Sequence, residues 1–175
     1  MALTLKDQRW IGLTKGRDDQ GCGVACIISV LTSLGAAPTD SADQIFKAVQ
    51  ATRLTRHLGA TPANIADYLI QQGRTVWYSI DLTHLTPIAG TLSLGLRSSN
   101  ATKLPHPPAH GAITAGGPPY FIHFLKIKGA NPAGHFVVSD GQGSYMDPGA
   151  PGYAKIGAFP AWKHFYDTGV TLIVQ

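Results

Sequence analysis

The spacing of apolar residues changes at Gly73, and that change limits the fold more than any other feature of the chain. Before it, apolar residues recur at helical intervals. In CGVACIISVLTSL, residues 24, 27, 28, 31 and 34 share one face, Cys26 and Val30 flank it, and Gly35 supplies a C-terminal stop. Ser41 followed by Gln44 is a capping-box pattern that opens a second helix to about Ala51, with Ile45, Ala48 and Val49 expected to face inward. Thr61, with Pro62 at the first helical position, opens a third helix that carries an apolar stripe at 65, 66, 69 and 70 and closes at Gly73. Beyond Gly73, β-branched and aromatic residues concentrate in 74–80, 120–128, 135–139 and 170–174, which are expected to be strands. Helices first and strands afterwards predict an α+β fold rather than alternating α/β.

A chain of 175 residues is the size of one domain, so 1–175 is expected to form a single unit with an irregular lead-in over 1–20 and order beginning at Cys22. A long loop is expected over 97–118, which holds His106, Pro107, Pro108, His110, Gly116 and Gly117; a segment of that kind in a compact domain is more often a binding or lid element than a neutral connector. Hydrophobic residues make up 44% of the chain, enough to build a core, which argues against disorder, a coiled coil or a collagen-like rod. The net charge is +4, but the basic residues are scattered with no stripe, so nucleic acid is not an expected partner. No apolar run is long enough to span a bilayer, and membrane insertion is not expected. MALTLKDQRW lacks the plan of a secretory signal, so the protein is expected to be made in the cytoplasm and to leave, if it does, by a route needing no such signal.

Only two cysteines are present, Cys22 and Cys26. A disulfide framework is therefore excluded, and a bridge at this spacing inside a regular helix would be strained. Two thiols without a histidine pair fall short of a closed zinc site, and neither a metal nor an organic cofactor is expected. The remaining roles are a small buried hydrophobe, a nucleophile, or one of each.

A thiol at a helix N-terminus lies where unpaired N–H groups and the helix dipole favour a thiolate, and where the same N–H groups can receive an oxyanion. Gln20-Gly21-Cys22-Gly23 runs directly into the first helix: its glycines let a carbonyl approach, and the Gln20 amide is a further donor. Among the seven histidines, His135 has the context of a base. It opens the strand HFVVS, where alternation puts His135 and Val137 on one face and Phe136 and Val138 on the other. Asp140-Gly141-Gln142-Gly143 is a strong turn, so Asp147 can lie on the adjacent antiparallel strand and fix the imidazole tautomer. Asp140 competes for that role, but its place before Gly141 suits a turn acid better. His123 is expected to be a strand residue with a satisfied ring, and His106 and His110 to be loop residues within reach of substrate. Trp77, Tyr78, Trp162, Phe165 and Tyr166 are expected in the core or cleft walls.

The CGVAC stretch opening a helix, the third helix ending in Gly73, then GHFVV, a turn and Asp147-Pro148 together resemble the C39-type peptidases and their relatives of the papain-like cysteine peptidase fold. The resemblance covers about residues 20 to 150. It implies a papain-like α+β domain with N-terminal helices packed on a C-terminal antiparallel sheet, Cys22 as nucleophile, His135 as base and Asp147 as orienting acid. In that family the oxyanion glutamine stands six residues before the nucleophile, a position held here by Gly16. Gln20 lies two residues before Cys22 and six before Cys26, which makes Cys26 a rival nucleophile; Gln8 is a more remote oxyanion candidate. Cys22 is preferred because Cys26 sits a full turn inside the apolar helix, where burial raises a thiol pKa and blocks substrate.

The expected activity is amide hydrolysis through a thioester, by a peptidase or a peptidoglycan-type amidase, with a peptide or peptidoglycan-like substrate. A small, basic domain of this kind also resembles effectors delivered between bacteria, for which a proteinaceous inhibitor or immunity protein is the expected partner. A glutamine deamidase or transglutaminase-like toxin would use the same triad. A non-catalytic papain-like domain that binds a peptide is the third alternative.

Overall fold

The computed structural model describes residues 2–14, 20–50, 60–81, 96–97, 99–104, 119–127, 134–149, 154–157 and 165–175. Among them lie three helices, α1 (Cys22–Ser33), α2 (Ala42–Val49) and α3 (Pro62–Gln71). Seven strands follow: β1 (Val76–Ile80), β2 (Thr102–Lys103), β3 (Tyr120–Ile127), β4 (Gly134–Ser139), β5 (Tyr145–Asp147), β6 (Lys155–Gly157) and β7 (Phe165–Val174). The protein is α+β, as the change of period at Gly73 predicts.

Local chemistry sets the helix ends. Ser41 and Gln44 form the expected capping box at α2, with the Gln44 N–H donating to Ser41 Oγ at 3.3 Å and the Ser41 N–H donating to Gln44 Oε1 at 2.8 Å. Thr61 Oγ1 accepts from the Asn64 N–H at 3.1 Å, with Pro62 in the first turn of α3. Helices α1 and α3 end in paired carbonyl-closing bonds, Gly35 to Thr32 with Ala36 to Leu31, and Gly73 to Ile70 with Arg74 to Leu69. Both closures need a left-handed residue, which Gly35 and Gly73 supply at φ 80° and 76°. The inward face of α2 differs from expectation. Phe46 is buried with Ala42, Ile45 and Val49, whereas Ala48 is exposed, because the stripe closes on the position with the larger apolar side chain. Ala51 lies outside the described residues.

The strands form one sheet in the order β2-β1-β7-β3-β4-β5-β6. Every pairing is antiparallel except β1 with β2. The last strand, β7, lies between β1 and β3, which makes the C-terminus a central part of the sheet. The expected loop over 97–118 is corrected at its start: Thr102 and Lys103 pair with Trp77 and Tyr78, too short a strand for alternation to reveal. Residues 105–118, with His106 and His110, lie outside the described residues.

The three helices cover one face of the sheet. Val24, Ile27 and Val30 of α1 pack with Ile45, Ile65 and Leu69 against Ile122, Phe136, Val138 and Leu172. Leu125 and Val137 point to the other face and form a smaller cluster with Tyr145, the alternation expected for a strand buried on both sides. Residues 2–14 hold no helix or strand, but they are not a loose lead-in. Leu3 and Gln8 are buried, Ser29 Oγ donates to the Thr4 carbonyl at 2.6 Å, the Thr4 N–H donates to Ser33 Oγ at 2.9 Å, and the Thr14 N–H donates to Asp43 at 3.1 Å. Order therefore begins well before Cys22. Among the described residues no helix is long and apolar enough to cross a membrane.

Candidate active site

Cys22 is the first residue of α1. The preceding N-cap, Gly21, has no side chain to cap the helix, and no acidic residue occupies its first turn. Gly23 lets this end approach Ala60 and the start of α3. A Cβ there would stand 2.7 Å from Ala60 Cβ and 3.5 Å from the Phe136 ring. On β4, Gly134 leaves room for the Phe124 ring, which a Cβ there would strike. Small residues thus adjoin both Cys22 and His135.

The register brings His135 to Asp147. Ser139 pairs with Tyr145 and Val138 with Met146. One further step places Val137 opposite Asp147, and His135, two residues along β4, keeps the same face as a diagonal neighbour within reach of a long side chain. His135 Nε2 lies 3.0 Å from Asp147 Oδ1, and the same oxygen accepts from the Gly149 N–H at 2.9 Å. An ionised carboxylate only accepts, so Nε2 carries the hydrogen and Nδ1 is the basic nitrogen of the neutral ring. The Cys22 thiol is the second hydrogen-bond partner of His135.

All three side chains are shielded, with relative exposures of 8% for Cys22, 1% for His135 and 7% for Asp147. Burial alone lowers the pKa of His135. The hydrogen bonds from Asp147 and Cys22, reinforced by their charges, outweigh that and hold it up at about 9, against 6.5 for an ordinary histidine. An imidazole this basic is an effective proton acceptor for a thiol and keeps the proton in place for a leaving group.

The other candidates separate from this cluster. Cys26 is fully buried; desolvation first, then the proximity of Cys22 and Asp147, pushes its thiol well above 9.0. Asp140 is a turn acid, its Oδ1 accepting from the Gln142 and Ser144 N–H groups at 2.8 and 3.1 Å. His123 is satisfied within the sheet, with Nε2 2.8 Å from Ser139 Oγ and Nδ1 3.2 Å from Thr171 Oγ1. Tyr78 is buried and Trp77 half-buried in β1, while Trp162 lies outside the described residues. Gln20 is half-buried at the entrance to α1. Gln8, which sequence reasoning kept only as a remote candidate, is 3% exposed. Its N–H donates to the Pro148 carbonyl at 3.0 Å, one residue beyond Asp147, and its Oε1 is buried without a hydrogen-bond partner among the described residues. Its spacing from Cys22 gave no signal of this, because its partner Pro148 lies more than a hundred residues away in sequence.

Among the described residues no three His, Cys, Asp or Glu side chains converge so as to hold a metal ion. No protein-family model and no curated protein matches the chain.

Proposed function

We propose that the protein is a papain-like cysteine hydrolase that cleaves an amide bond through a thioester. The observation that carries the reading is His135 held between the thiol that starts α1 and a carboxylate on the neighbouring strand. In the reaction His135 Nδ1 takes the thiol proton, Cys22 Sγ attacks the carbonyl carbon, and the carbonyl oxygen becomes an oxyanion. That oxyanion meets the Cys22 N–H at the helix end and a glutamine amide. Gln20 is favoured for the latter by its place beside the nucleophile, and Gln8, buried next to Pro148, is the remaining glutamine candidate. The imidazolium then protonates the departing amine as the C–N bond breaks, leaving a thioester. Water, deprotonated by the same imidazole, attacks the thioester, releases the carboxylic acid and restores the thiol.

For the substrate, the reading is a peptide or the stem peptides of peptidoglycan, and the setting is an effector delivered between bacteria and restrained by a proteinaceous inhibitor. The net charge of +4 is compatible with an anionic wall polymer. The first experiment is alkylation of Cys22 by iodoacetamide across pH, with peptide mapping to separate it from Cys26. Rapid modification below about pH 7 that is lost in His135→Ala is expected; modification that follows an ordinary thiol pKa of about 8.5 sinks the enzyme reading in favour of a peptide-binding domain. Purified sacculi incubated with the protein should release new muropeptides. A gain of about one dalton on a glutamine-containing protein, without cleavage, would instead assign a deamidase.

A further inference from the structure

Asp147 stands on a weak element. Strands β5 and β6 have three residues each, β6 forms the sheet edge, and β5 is joined to β4 by two register pairs. A hairpin this short does not hold a side chain in place unaided. What meets its end is the N-terminal turn. Pro148 follows Asp147, Ala154 precedes Lys155, and Asp147 and Lys155 are paired across the hairpin. The Gln8 N–H donates to the Pro148 carbonyl, and the Ala154 N–H donates to the Asp7 carboxylate. Both strands are thus held one residue beyond the pair that contains Asp147.

The turn is rigid enough to serve as an anchor. Asp7 receives Arg9 through Nε, Nη2 and the backbone N–H, and the Asp7 carbonyl accepts from the Trp10 N–H at 2.9 Å. Gln8 is inserted rather than laid on the surface, and the same segment is tied at Thr4 to Ser29 and Ser33 of α1. One stretch of chain therefore connects the helix that carries the nucleophile to the hairpin that carries the acid.

We infer that the N-terminal turn, with Asp7 as its main contact, is a positioning element that sets the Asp147 carboxylate against His135. The inference rests on the reading of Asp147 as the orienting acid. The titratable groups acting on His135 are Cys22 of α1 and Asp147 of β5, with Cys26 one helical turn behind them; on β3, His123 lies diagonally on the same face, engaged by Ser139 and Thr171, and Lys126 pairs with the neighbouring Gly134. Asp7 acts through Ala154 and the adjoining Asp147–Lys155 pair.

The test is the NMR titration of the His135 imidazole in the full chain, which a general loss of stability does not move. Asp7→Ala is expected to lower the midpoint by about one unit, a tenfold loss of proton affinity. Asp7→Asn, whose side-chain oxygen still accepts from Ala154, is expected to remain close to wild type. In an Asp147→Asn background, Asp7→Ala is expected to add nothing. An unmoved midpoint in Asp7→Ala overturns the proposal, and so does an Asp7→Asn shift as large as that of Ala, which would make the effect one of charge. Should Asp7→Ala not fold, Arg9→Ala, which frees the Asp7 side chain, must lower the midpoint in the same direction or the proposal fails. If Asp147→Asn itself leaves His135 unmoved, the triad reading falls, and the role of the turn falls with it; a shift in Asp147→Asn alone leaves the triad standing and removes only the turn.

Discussion

Replacing Asp147 with Asn tests the site without any substrate. His135 stands at about 9 in the folded chain against 6.5 in an unfolded one, so folding binds a proton. Because the folded pKa is the higher, the stability this contributes is complete below the unfolded value and is lost as the pH rises through the folded one. At about 1.4 kcal/mol per unit, the bound proton is worth roughly 3 kcal/mol at full strength, and linkage removes about 2 kcal/mol of it between about pH 6.5 and pH 8.5. Higher pH is uninformative because burial also raises Cys26, whose ionisation in the unfolded chain adds a separate loss above about pH 9. Urea unfolding of wild type and Asp147→Asn at several pH values within the window measures the difference, in which the other histidines cancel. The variant keeps the burial of His135 and loses the carboxylate, so it is expected to be less stable at pH 6.5 and to close the gap as the pH rises. A gap that stays constant across the window refutes the claim that Asp147 holds His135 as an imidazolium.

Four further outcomes are expected. Cys22→Ala abolishes amide cleavage, whereas Cys26→Ala keeps most of it at a cost of about 1 kcal/mol for the small cavity, measured as a lowered Tm; the opposite pattern assigns the nucleophile to Cys26. Gly23→Ala, whose methyl would lie 2.7 Å from Ala60 Cβ, destabilises the fold by about 1–3 kcal/mol and slows alkylation of Cys22 as the first turn of α1 is pushed away from Ala60. Asp140→Ala loses the acceptor for two N–H groups and costs about 1 kcal/mol in unfolding measurements, but leaves the pH profile of Cys22 alkylation unchanged. Gln20→Ala slows acylation by about a hundredfold if that amide receives the oxyanion, and a loss of this size in Gln8→Ala instead moves the role to the buried glutamine.

Much of this arrangement was legible in the chain because its signals are local. The capping pair Ser41 and Gln44, the Pro62 start and the two closing glycines act through bonds between near neighbours in sequence, and each is found where expected. The relation between His135 and Asp147 was readable for the same reason: a tight turn between two alternating segments determines which residues share a face. Ala48 and Phe46 exchanged roles because periodicity marks a face only to within one position, and the size of the neighbouring side chain decides the rest. The strands β2 and β6, of two and three residues, are too short to carry a period at all.

Sequence alone determined the class of the fold, the helix boundaries and the identities of a thiol, an imidazole and a carboxylate capable of acting together. Only the tertiary structure decided that the last strand would run between β1 and β3, that Gln8 would be buried one residue from Asp147, and that Asp7 would reach Ala154. The Gln8 and Asp7 contacts join segments more than a hundred residues apart, and β7 pairs with strands well removed from it in sequence. Their partners are chosen by which sheet edge and which loop remain unsatisfied once the local elements have packed, and no spacing in the chain records that.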